Sequence, residues 1–200
     1  MPLRNRVTPF GELVAVAGRG RLMGNRGVLH DDARRVVRAW QVRRWIACRT
    51  EFRGRHRAVM QPRRYTELFF LDEATAFSAG HRPCRECRYV DYQRFRTGWE
   101  SAFGAPANAD AIDRVLHAER LDGTRKRTHS AAFATLPGGT HVALAGRAWL
   151  VWRDQLLAWT DRGYAERRPL PAGTAEVLTP PSIVTLLRAG YPVAVHPSAD

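Results

Sequence analysis

The 200-residue chain holds a single lysine, Lys126, only three cysteines, and no apolar run of membrane-spanning length. Each scarcity excludes something. A spanning helix needs about 20 predominantly apolar residues, so no membrane partner is expected. The opening residues, MPLRNRVTPFGELVAVAG, place no long apolar stretch behind their charges, which argues against a secretion signal. Three cysteines, two of them in one C-x-x-C, do not make a secreted disulfide framework, so a reduced, cytoplasmic protein is expected. Acids are scarce as well: 19 Asp and Glu stand against 32 Lys and Arg, a formal net charge of +13. Self-repulsion of that size is relieved by an anionic partner, nucleic acid before an acidic membrane surface. The preference for arginine over lysine is itself explained by codon composition, because Ala and Gly are also plentiful.

Apolar residues make up 44% of the chain, enough for a buried core. Residues 1–30 read as strand and loop. Residues 34–64 carry eleven arginines against one acid, Glu51, with Val36, Trp40, Trp45, Ile46 and Phe52 threaded between them. That interleaving predicts strands with one buried and one cationic face. LDEATAFSAGH predicts a short helix capped by Asp72 and ended at Gly80. YVDYQRFRTGWESAF puts Tyr92, Phe95, Trp99 and Phe103 at helical spacing as a core stripe. Asp110 is placed to cap a further helix running to about Leu121, and DGTRKRTH follows as a basic loop. From 138 onward HVALAG, AWLVW and LLAWT predict a meander, with Trp149, Trp152 and Trp159 in its core. TPPSIVTLLRAG predicts a helix with prolines in its first turn and Gly190 at its end. The class is α+β: a basic lobe over 1–104, a helical and basic linker over 105–135, and a small antiparallel β-rich lobe with a C-terminal helix over 136–200.

The densest chemistry lies in GHRPCRECR, residues 80–88. Two cysteines three apart let both thiolates reach one ion from a tight turn. Pro83 stiffens the entry, and Arg82, Arg85 and Arg88 favour the thiolate form. A redox C-x-x-C would begin a helix at its first cysteine, whereas here a predicted helix ends just upstream. TELFFLDEATAFSAGHRPCRECR resembles the metal-binding domain of the DNA-repair protein Ada and the Ada-like zinc modules attached to some nucleases. Phe69, Phe70, Glu73, Ala74, Gly80, Arg82, Pro83, Cys84 and Cys87 carry the likeness, which extends over about residues 44–90.

The resemblance implies a zinc ion held by Cys84, Cys87 and an upstream Cys-x3-Cys pair. Cys48 answers to one member of that pair, but Phe52 stands at the other. The fourth ligand is then His81, adjacent to the knuckle, or His56, on the same predicted hairpin as Cys48. The alternative is a metal-free relative with idle, reduced thiols. The likeness further implies DNA rather than RNA as partner, a role in DNA repair, and Cys48 as the candidate catalytic residue, an alkyl acceptor. Arg43, Arg44, Arg49, Arg53, Arg55, Arg57, Arg82 and Arg85 are the expected nucleic-acid-binding residues. A different enzyme, a nuclease or base-acting one, would draw on Asp113, His117 and His129, with Glu119 on the same helix. A non-catalytic partner-binding protein is the third possibility.

Overall fold

The computed structural model describes residues 1–54 and 58–200; Arg55, His56 and Arg57 lie outside the described residues. The first sheet contains β1 (Arg6–Val7), β2 (Leu13–Val14), β3 (Leu22–Asn25), β4 (Ile46–Arg49), β5 (Leu68–Phe70) and β6 (Arg82–Pro83). Their order is β2-β1-β5-β3-β4-β6, and it is mixed: β1 runs parallel to β5, and β4 to β6. Three helices go with it, α1 (Glu73–Ser78), α2 (Tyr89–Phe103) and α3 (Ala109–Arg120), and then a small hairpin of β7 (Leu121–Asp122) and β8 (Arg125–Lys126). The second sheet is antiparallel: β9 (His129–Ala132), β10 (His141–Leu144), β11 (Arg147–Trp152), β12 (Gln155–Thr160), β13 (Gly163–Pro169) and β14 (Thr174–Val177), in the order β13-β12-β11-β10-β14-β9. Helix α4 (Pro181–Arg188) follows. The α+β class expected from the sequence is the one observed.

Local chemistry accounts for most of these elements. The Asp72 carboxylate accepts from the Thr75 amide at 2.8 Å and from its hydroxyl at 2.7 Å, which caps α1. At the other end Gly80 has φ +81°, and a Cβ there would lie 2.5 Å from Arg120 Cδ, so only glycine fits. The meander turns at Ala145–Gly146 and Arg153–Asp154 have positive φ at both positions, the backbone twist that suits two-residue hairpins.

Three expectations need correction. Among the described residues of 34–64 there is one strand, β4; Arg34, Arg53, Met60 and Arg63 take positive φ, which interrupts extended pairing around it. Helix α3 is capped by Asn108, whose side chain accepts from the Ala111 amide at 2.9 Å, while Asp110 sits inside the first turn. Of the aromatic stripe on α2, Tyr92, Phe95 and Trp99 are buried, but Phe103, in the last turn, is 45% exposed and packs against the Trp99 ring.

One apolar cluster joins the four helices to the second sheet. Ala74 and Phe77 of α1, Phe95 of α2 and Leu116 of α3 pack with Leu150 of β11 and Leu186 of α4. A buried polar hub lies beside it: the Tyr164 hydroxyl donates to Asp72 Oδ2 at 2.7 Å, and the His196 amide donates to the same oxygen at 2.9 Å. His141 closes this hub from β10, its Nε2 3.5 Å from the Tyr164 hydroxyl.

Burial pushes the His141 pKa down from 6.5 to about 4, against the attraction of Asp72. The folded protein therefore resists a proton that the unfolded chain accepts. Stability from this residue is complete above pH 6.5 and is lost as pH falls towards 4. Urea unfolding should show a loss of about 3 kcal/mol across that window, shallower in His141→Gln.

Candidate metal centre

Alternation along β4 sorts its side chains between two faces of the first sheet. Ala47 packs with Leu68, Phe70, Ala76 of α1 and Ala79 just after it, whereas Cys48 groups with Met23 and Ile46. β6 then lies alongside β4, with Arg82 beside Ile46 and Pro83 beside Ala47, and the Cys84 amide donates to the Ala47 carbonyl at 2.9 Å. The turn that follows carries Cys84 and Cys87 back over Cys48. All three sulfurs lie within 4.8 Å of one another, and all three residues are buried.

The cysteines are free thiols. Two backbone amides point at them: Glu86 N donates to Cys84 Sγ and Arg49 N to Cys87 Sγ, each at 3.4 Å. Donors aimed at sulfur stabilise its anionic form. Hydrogen bonds from Cys48 and then Cys87 pull Cys84 down to about 2, while the bonds to Cys84 and Cys87, together with burial, push Cys48 far up. These shifts favour ionisation of Cys84 over Cys48, and a divalent ion would take the place of the protons on the cluster.

Tetrahedral zinc with Zn–S bonds of about 2.3 Å asks for sulfurs roughly 3.8 Å apart, so the observed spacing needs little adjustment. Soft sulfur donors favour zinc over the oxygen-seeking cations. These residues fit such an ion as three of four ligands. A cavity of about 490 Å³ opens beside them, lined by the cysteines with Met23, Phe52 and Phe69.

His81 does not join the cluster. It is fully buried on the α1 side of the sheet, where its ring meets Phe70 at 4.6 Å and Trp45 at 5.1 Å, and Arg26 Nε donates to its Nε2 at 3.4 Å. The alternation that turns Cys48 outward turns His81 inward. The other histidine considered, His56, lies outside the described residues.

The arginines divide into groups. Arg43, Arg49, Arg53 and Arg85 are exposed, without an acidic partner among the described residues. Arg44 is exposed but paired with Asp110 at 3.0 Å. Arg55 and Arg57 fall outside the described residues. Arg82 is not a surface cation: it is 3% exposed, and its guanidinium grips Asp113 through Nε at 2.9 Å and Nη2 at 2.8 Å. Sequence alone could not anticipate a pair thirty-one residues apart on a strand and a helix.

That pairing also takes Asp113 out of any acid–base set. His117 receives a contact from Arg120 Nη2 at 3.0 Å and packs edge-on to Trp40. Glu119 accepts from the amide and hydroxyl of Ser182 at 3.0 and 2.6 Å, placing a carboxylate at the N-terminus of α4. His129 lies apart, on β9. These residues have separate structural partners. Glu119→Ala should therefore lower stability by about 1 kcal/mol in a denaturant titration.

Among the described residues, no helix is long and apolar enough to cross a membrane. Comparison of the chain with protein-family models, with curated proteins and with solved structures finds no match in any of the three.

Proposed function

We propose that Cys48, Cys84 and Cys87 bind zinc and that the protein is a nucleic-acid-binding protein, DNA favoured over RNA, which uses this centre to organise a cationic surface. The supporting observation is the position of Arg49 and Arg85. Each is exposed, and each belongs to a segment that carries a sulfur of the cluster. An ion joining β4 to the Cys84–Cys87 turn holds these two arginines in register, with Arg43 and Arg53 on the flanking chain. Phosphate is the partner that so unbalanced a charge favours. The resemblance to the Ada metal-binding domain agrees with this reading.

Anisotropy of a labelled duplex tests it. Four phosphate contacts predict about a hundredfold loss of affinity between 50 and 200 mM salt. Arg49→Gln or Arg85→Gln should each reduce the salt slope by roughly one. Binding indifferent to salt would defeat the proposal.

The cavity beside the cysteines favours a second reading. Cys48 lines that space; with its proton lost to solvent, as metal ligation requires, its thiolate would attack the methyl carbon of a phosphate methyl ester. The C–O bond breaks, its electron pair leaves with the phosphodiester, and the sulfur retains the methyl group as a thioether. Incubation with methylated DNA should then add one methyl mass to the Cys48 peptide, and an unchanged mass removes this reading.

A further inference from the structure

The opposite face of the first sheet carries a second feature, unrelated to the cysteines. A cavity of about 490 Å³ lies between β2, β8 and the end of α3, and six cations line it: Arg4, Arg26, Arg38, Arg120, Arg125 and Lys126. Glu12 is the one carboxylate in that lining. Two of the cations are deeply buried, Arg26 at 2% and Arg120 at 1% exposure. Both guanidiniums lie over the Trp45 ring, 4.1 and 3.9 Å from its centroid. The ring face offsets some of the cost of burying them but supplies no hydrogen-bond acceptor.

Backbone carbonyls use part of this donor capacity. Arg26 Nη1 donates to Gly11 O at 2.9 Å, Arg120 Nη1 to Gly80 O at 2.8 Å, and Lys126 Nζ to Ser78 O. Capping the end of α1 therefore explains one bond from each of the last two residues. It leaves Arg26 Nη2 and Arg120 Nε without any partner, although both atoms are buried. Buried cations are ordinarily paired. Among the described residues no salt bridge is made by Arg26, Arg120 or Lys126.

We infer that this cavity is a binding site for a phosphate monoester, whose dianion would supply the acceptors that Arg26 Nη2 and Arg120 Nε lack and a counter-charge for Lys126. A dianion suits three converging cations better than a single carboxylate does, and the guanidinium fork matches phosphate oxygens. The volume accommodates the phosphate together with part of the group it esterifies. Two sources share this chemistry, a small phosphorylated metabolite and the terminal phosphate of a nucleic-acid strand. The inference does not depend on zinc or on the arginines around the cysteines.

Lys126 gives a direct test because it is the chain's only lysine. Burial, then Arg26 and Arg120, pushes its ammonium down to about 7, so the free amine is present at neutral pH. Acylation of Lys126 in the wild-type protein, read by peptide mass, should slow about tenfold at phosphate ten times above its Kd. The N-terminal amine should be unaffected, and chloride at equal ionic strength should have no such effect. Calorimetric binding of inorganic phosphate should weaken about tenfold or more in Lys126→Gln and in Arg26→Gln. A 5′-phosphorylated oligonucleotide binding tighter than its 5′-hydroxyl counterpart assigns the strand end as source, and equal binding assigns the small ester. Unprotected Lys126, or phosphate affinity unchanged in a folded Lys126→Gln protein, overturns the inference.

Discussion

Purified protein is expected to carry one zinc ion per chain, and Cys84→Ser is expected to carry none. This is the largest effect foreseen, because Cys84 is one of only three sulfurs that meet at the site. Removing Cys84 leaves one sulfur on the turn, Cys87, and one on β4, Cys48, too few for a structural site. Zinc binds the folded arrangement in preference to the unfolded chain, so at a thousandfold excess over Kd it contributes about 4 kcal/mol. A chelator should therefore lower the melting temperature of the wild-type protein and leave that of Cys84→Ser unchanged.

The ligands must also lose their protons on binding, so zinc uptake in weak buffer should acidify the solution, and zinc should be released on acidification. His81→Ala should keep the full zinc content, since its ring faces Trp45 and Phe70 on the other side of the sheet. Loss of zinc in His56→Ala would identify the fourth ligand. A wild-type protein with three titratable thiols and no zinc would refute the metal centre.

Arg82→Ala is expected to destabilise the protein by about 3–5 kcal/mol, although sequence reading placed this residue on the nucleic-acid surface. Arg82 and Asp113 have side chains only 4% and 2% exposed and are joined by two hydrogen bonds. Burial raises the Asp113 pKa even against the pull of Arg82. Without that guanidinium the carboxyl would take up a proton rather than remain charged and buried. The pair Arg82→Leu with Asp113→Leu should recover much of the loss, because no uncompensated charge remains. Equilibrium denaturation of the single and double variants measures both quantities. If Arg82→Ala instead left stability intact and weakened DNA binding, the buried assignment would be wrong.

Several elements were legible before any coordinates. Asp72 and Gly80 bracket α1 as their backbone preferences require, and the meander follows from short apolar runs punctuated by turn residues. The prolines and Gly190 bound α4. The three sulfurs of the cluster were also nominated from sequence, two by spacing and Cys48 by resemblance. β13 and β14 escaped notice because GYAERRP and TAEV hold little apolar periodicity; pairing with β12 and with β9 and β10 makes them strands. Nothing in the sequence sets the buried Arg26 and Arg120 apart from the other basic residues.

By itself, the sequence determined the short-range matters: where helices begin and end, where hairpins turn, which cysteines share a turn, and the sign of the surface charge. Those depend on φ preference, capping and spacing within a few residues. Only the tertiary structure decided the face on which each side chain lies and the partner it meets. Cys48 meets Cys84 and Cys87 because β6 runs parallel to β4, and the same sheet sends His81 to the opposite face. Arg82 is withdrawn from the surface because α3 brings Asp113 to it. A charge becomes a surface contact, a buried pair or a ligand-binding group according to distances across the fold, and no local pattern encodes them.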